Sequence, residues 1–169
     1  MEEALNITDL TQYPSWTPII ARWHHEEWLK SHSGLEGGAR SAEYIAKKLA
    51  QREDSLSQHL NNDPLPTTFV AHRKEVPIGT VSLVYYQFTQ DKRPSEWLTN
   101  LYVLPELRRK GIAGALLEHA LNYACGYDLP SLMLYTSTSA DFYRKRRWRT
   151  INKGIVQGQK VDIMDYKLC

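Results

Sequence analysis

Cysteine is scarce in this 169-residue chain: the two present, Cys125 and Cys169, form no motif. They read as a helix-packing thiol and a terminal thiol in a reducing cytoplasm. No apolar run is long enough to span a membrane, and the acidic start MEEALN is not that of a signal peptide. His24-His25-Glu26-Glu27 lacks the HExxH spacing and any further ligand cluster, so it reads as the solvated face of a helix and no metal is expected. No Gly-Lys-Ser/Thr follows a glycine-rich bend, which excludes a Walker A loop, and the GxGxxG spacing of a dinucleotide fold is missing. Strong net charge is also absent, at +2, but the balance is uneven along the chain. Residues 1–100 carry 10 Lys/Arg against 13 Asp/Glu, and residues 101–169 carry 11 against 6. A basic C-terminal part fits an anionic ligand.

What is present is an ordinary globular composition, 42% hydrophobic and 24% charged, long enough for one cored domain over 1–169. Asn6 to Leu10 can be a short strand. Ser15 is a candidate N-cap for a helix carrying Trp16, Ile19, Ile20, Trp23 and Trp28. Ser31 to Gly38 is a loop by composition, and Ser41 caps a second helix that fades through a polar connector from Arg52 to Pro66. From Thr67 the pattern turns to strands: TTFVAHRK and IGTVSLVYYQF form a hairpin around Glu75 to Pro77. The strand Glu96 to Leu104 follows, with Trp97, Thr99, Leu101 and Val103 expected on one face. A buried strand Ser131 to Tyr135, a short helix Ser139 to Lys145 capped by Ser139, and strands Trp148 to Asn152 and Val161 to Leu168 complete the chain. The order β-α-α-β-β-β-α-β-α-β-β implies a mixed sheet with helices on both faces.

The stretch Leu101 to Ala124 organises this order. It runs from a strand through Pro105 and a bend, Arg108-Arg109-Lys110-Gly111-Ile112-Ala113-Gly114, into a helix. There Ile112, Leu116, Leu117, Ala120, Leu121 and Ala124 make an apolar stripe of 3.6-residue period. Three cations at a helix N-terminus oppose the dipole, which points to an anion seated there. Small residues at 111 and 113 let the backbone N–H groups close on it.

The bend resembles the Gln/Arg-x-x-Gly-x-Gly/Ala motif of the GNAT superfamily of N-acetyltransferases. Phe142-Tyr143 before Trp148 is similar to the same family's Phe-Tyr-x-x-x-Gly-aromatic segment, with Arg147 where the glycine is usual, so the local turn is expected to differ. The resemblance implies an α/β (α+β) domain with a mixed, mostly antiparallel sheet of about six to seven strands. It implies acetyl-CoA as cofactor, its pyrophosphate on Arg108, Arg109, Lys110, Gly111, Ile112, Ala113 and Gly114. It also implies that the pantetheine arm pairs with the strand edge Leu101, Tyr102 and Val103. Tyr143 takes the family's general-acid position, and a tyrosine, ordinarily near pKa ~10, can supply a proton to a leaving thiolate. Glu96, at the start of the strand leading into the motif, is the candidate base, with Asp91 behind it.

Transfer of an acetyl group to a primary amine is therefore the leading expectation, the acceptor being a small molecule or a peptide or protein amine. A homodimer stays open. The loops SHSGLEGG and Gln87 to Ser95, with Trp28, are expected beside the acceptor. A non-catalytic acyl-CoA sensor is the second reading. A nucleic-acid binder using Arg144 to Arg149 is the third.

Overall fold

In the computed structural model, which describes residues 3–32, 42–86 and 95–169, the sequence pattern resolves into strands and helices in the expected order. They are β1 (Asn6–Asp9), α1 (Thr17–His32), α2 (Ala42–Ser57), β2 (Thr67–Arg73), β3 (Val76–Tyr86), β4 (Ser95–Val103), α3 (Ile112–Gly126), β5 (Ser131–Thr136), α4 (Ala140–Arg144), β6 (Arg149–Val156) and β7 (Gln159–Lys167). All the strands join one sheet in the order β1-β2-β3-β4-β5-β7-β6. Each neighbouring pair is antiparallel except β4–β5, which is parallel. No helix of the described residues is long and apolar enough to cross a membrane.

The expected stripe of α3 is the centre of the core. Ile112, Leu116, Leu117, Ala120 and Ala124 pack on Phe69, Val81, Leu83, Leu98 and Leu132 of one sheet face. Burial of each large side chain contributes roughly 1.5–3 kcal/mol, enough to seat the helix without help from a side-chain cap. The other face carries α1, packed through Ile20 and Ala21, with Trp16 just before it, near Leu56 of α2 and Val70 of β2. Next to that apolar cluster the same face is polar. Thr68, Thr80 and Ser82 are buried there, and the His59 ring reaches the Thr68 hydroxyl at 2.8 Å.

Several local expectations are corrected. Ser15 lies inside a 3₁₀ turn, Pro14–Trp16, and the helix begins at Thr17, whose hydroxyl donates to the Pro14 carbonyl. The second helix persists to Ser57, well into the stretch read as connector. Ser139 sits at the start of α4 but makes no side-chain cap; its own N–H donates to the Thr136 hydroxyl instead. The final hairpin is tighter than expected: Gln157 and Gly158 alone turn it, both at positive φ, which places Gly154 within β6. The cysteines are not free thiols. Cys125 at the end of α3 and Cys169 after β7 are disulfide-bonded, their Cα atoms 5.9 Å apart. Distance along the chain hid this pairing, because α3 and β7 become neighbours only once β5 lies between them and β4. α1 runs on to His32, over the first two residues of the expected loop Ser31 to Gly38; the rest of that loop and the Ser41 cap lie outside the described residues.

Candidate active site

The site begins with an irregularity in β4. Ser82 pairs with Thr99 and Thr80 with Tyr102, so two residues of β4 oppose one of β3. This is a β-bulge. Asn100 takes φ +56°, and its carbonyl accepts a hydrogen bond from the Thr80 hydroxyl at 3.1 Å. The bulge overturns the expected alternation: Trp97 packs with Val161 and Ile163, whereas Val103 belongs with Leu98 to the core under α3. It also separates the parallel neighbours. β4 and β5 are in register only at Trp97 and Met133, and beyond that point they diverge.

The divergence opens a cavity of about 400 Å³ walled by Leu98 to Tyr102 on one side and Leu134 to Thr136 on the other, with Tyr143 below. Backbone groups of β4 that would have bonded β5 face this space, which is an edge suited to an extended ligand chain. Leu101, Tyr102, Val103, Arg108 and Ala113 line a second cavity of about 350 Å³, which shares Tyr143, Ser139 and Glu27 with the first. This second cavity reaches the start of α3. On the opposite side, a third of about 670 Å³ opens between α1, α2 and the β6–β7 turn, sharing His24, Trp28, Arg52, Asn100 and Gln157 with the first. The three form one passage from the start of α3, through the split sheet, to the cleft between α1 and α2.

At its α3 end the passage meets the basic bend. Gly111 adopts φ +84°, and its carbonyl takes the first helical hydrogen bond, from Ala115 at 3.1 Å. The N–H groups of Ile112, Ala113 and Gly114 therefore point out of the helix start, as in an anion site. Ile112 directs its side chain into the core, so only its backbone is available. A methyl group on Gly111 would meet nothing within 4 Å, so the glycine is required by its left-handed backbone rather than by space. The cations of the bend are not equivalent. Arg108 is used internally: its Nε donates to the Val103 carbonyl at 2.9 Å, and its Nη2 lies 3.6 Å from Glu27. Arg109 and Lys110 are exposed. A further cation comes from the basic run Arg144 to Arg149 after α4, where Arg146 lies over the Phe142 ring at 3.8 Å and approaches Gly114.

Tyr143 is 8% exposed, with its ring against Trp148 at 5.8 Å. Burial pushes its hydroxyl up to about 12, opposed by Arg146, so it holds its proton throughout the neutral range. Glu96 stands elsewhere. It pairs with Tyr85 and shares the α3-side face with Leu98 and Leu83, whereas Thr99 and Ser82 face α1 and α2. It lines none of the three cavities. Asp91 lies outside the described residues.

The His24 to Glu27 segment is not a solvated face. His24 and His25 are buried. His24 lines two of the cavities, and its Nε2 is 3.3 Å from the Thr80 hydroxyl. Burial, then Arg52 and His59, lower its pKa to about 3, so the imidazole is neutral. Glu27 lines the Tyr143 cavity. The misreading has a physical cause: α1 packs its helical stripe on the sheet only through its first half, and its second half faces a cavity that prefers polar residues. The presence of His and Glu together with Trp23 and Trp28 was the available signal. Among the described residues no group of His, Cys, Asp and Glu is arranged to hold a metal. In the basic run, Arg144 is bonded to Asp141 and Asp162, and Arg149 to Asp165, so those cations are engaged within the chain.

Residues 64–147 match the family described as acetyltransferase (GNAT) domain. No curated protein matches the chain. Solved structures resemble it over nearly their full length. The PaiA N-acetyltransferase of Thermoplasma acidophilum, in complex with coenzyme A, is 21% identical with a TM-score of 0.67, covering 97% of this chain and 99% of that one. An acetyltransferase of the GNAT family from Streptococcus pneumoniae is 17% identical with a TM-score of 0.64, covering 98% and 100%. A predicted acetyltransferase of Clostridium acetobutylicum with acetyl-CoA is 16% identical with a TM-score of 0.62, covering 90% and 95%. The family match spans β2 to α4, the elements that build the split sheet and the basic bend, and the chain carries there an acetyltransferase domain of the GNAT family.

Proposed function

We propose that this chain, as one catalytic domain, transfers the acetyl group of acetyl-CoA directly to the nitrogen of a primary amine. The observation that carries the reading is the continuous passage: one mouth at an anion-binding helix start, the other between α1 and α2, and Tyr143 on a wall common to two of its parts. The residues fit the cosubstrate. The N–H groups after Gly111 suit a pyrophosphate, and the unpaired edge of β4 from Leu101 to Val103 suits the amides of a pantetheine arm. When bound, acetyl-CoA supplies the thioester that an amine can attack. Tyr143, protonated and desolvated, supplies a proton to the departing sulfur, and the narrow gap between β4 and β5 keeps bulk water from competing with the amine.

For the proton leaving the amine, Glu96 is the residue named by sequence, and Glu27 is the carboxylate that shares the Tyr143 cavity. Glu96→Gln and Glu27→Gln are compared at neutral and alkaline pH. The variant whose lost rate returns as the amine deprotonates in solution identifies the acceptor.

The test of the reading itself is thiol release from acetyl-CoA with an amine panel, for wild type and Tyr143→Phe. Turnover that falls about 10²–10⁴-fold in the variant with unchanged coenzyme A affinity supports transfer. Tight coenzyme A binding with no turnover of any amine overturns it in favour of a sensor.

A further inference from the structure

The cleft between α1 and α2 carries a charge pattern that speaks to the acceptor. Among the described residues its lining contains two cations, Lys48 and Arg52, and no carboxylate. Arg52 is half-buried and makes no hydrogen bond or ion pair with any described residue. The Lys48 ammonium lies over the Tyr44 ring, 5.6 Å from its centroid. An arginine withdrawn from water without an anion is costly, and its planar fork of N–H donors matches a carboxylate or phosphate in two bonds. Position matters as much as charge. Arg52 lines both the α1–α2 cleft and the cavity that contains Tyr143, so an anion held by it lies within a small molecule's length of the reacting centre. The other groups at that junction, His24, Asn100 and Gln157, are neutral hydrogen-bonding partners, His24 being held uncharged by burial.

We infer that the acceptor is a small amine bearing its own anionic group, a carboxylate or phosphonate close to the nitrogen, and that Arg52 binds that group. This rests on the acetyl-transfer reading and deepens it. A polyamine would bring several cations beside Arg52 and Lys48, and the described lining of the cleft itself offers them no carboxylate; Glu27 lines only the adjoining cavities around Tyr143. A volume of about 670 Å³ suits a compact ligand.

The experiment measures thiol release from acetyl-CoA with matched pairs: L-glutamine, L-methionine and L-phenylalanine against their amides, and aminomethylphosphonate against methylamine, with spermidine as the cationic arm. Binding of the same amines to the coenzyme A-loaded protein is followed by calorimetry. At least one anionic amine is expected to exceed its uncharged counterpart by about tenfold or more in kcat/KM, the range for a charged hydrogen bond. The carboxylate and phosphonate arms distinguish which anion is preferred. Arg52→Gln abolishes that preference and Arg52→Lys keeps part of it, both with unaltered coenzyme A affinity. Faster turnover of spermidine or of the amides overturns the inference while leaving acetyl transfer standing. Arg52-dependent binding of anionic amines without turnover does the reverse. An anionic preference unchanged in Arg52→Gln overturns the role given to Arg52.

Discussion

The backbone N–H of Trp148 donates to the carbonyl of Tyr143 at 3.2 Å, while that of Arg147 donates to Arg144 at 3.1 Å. This bond pair is a Schellman turn, and Arg147 occupies its left-handed position at φ +73°. The turn lays the Trp148 ring against Tyr143 and so fixes the tyrosine in the wall of the passage. Arg147 therefore holds a left-handed conformation that a glycine adopts freely, and the chain accepts the strain. Arg147→Gly is expected to raise stability by about 1 kcal/mol in urea unfolding, because the left-handed penalty disappears. A loss of stability would show that the Arg147 side chain has a compensating contact.

Gly79 of β3 faces the end of β4 at the site. A methyl group there would come 2.8 Å from the Tyr102 carbonyl and 3.1 Å from Leu116. Gly79→Ala must push β4 away from α3, along the same edge that faces the passage. Destabilisation of about 1–3 kcal/mol is expected, together with weaker coenzyme A binding. Unchanged affinity in isothermal titration would count against Leu101 to Val103 as the pantetheine edge.

His24 predicts acid lability. Its pKa falls from 6.5 unfolded to about 3 folded, so the unfolded chain binds the extra proton between these values. The stability this neutral imidazole allows is present above pH 6.5 and is lost as pH falls towards 3, by at most ~1.4 kcal/mol per pH unit. His59 shifts in the same direction, mainly through burial. Unfolding free energies between pH 7 and 4 should fall, and His24→Gln should flatten part of the slope. Parallel slopes for the two proteins would contradict the assignment.

Tyr143, with its hydroxyl pushed up to about 12, stays protonated where an ordinary tyrosine is half ionised. The rate advantage of wild type over Tyr143→Phe is therefore expected to persist through pH 10. If that advantage halves near pH 10, the acid has an unperturbed pKa and is not this buried hydroxyl.

The sequence by itself determined the order of the elements, the stripe of α3 and the basic bend before it. These are local properties: periodicity, turn chemistry and a glycine at a left-handed position act over a few residues. Tyr143 was legible for the same reason, through its place in a short motif. What the tertiary structure alone decided is non-local. The bulge at Asn100 depends on how β4 registers with β3, and it inverts the side on which Val103 lies relative to Trp97. The disulfide depends on α3 and the chain end meeting across the sheet. Most of the passage wall, including His24, Glu27 and Arg52, depends on α1 and α2 leaving part of the sheet uncovered. The basic bend at one mouth of the passage could be read from seven consecutive residues. The opposite mouth, where the acceptor is proposed to enter, is assembled from helices and a hairpin far apart in the chain, and only packing brings their charges together.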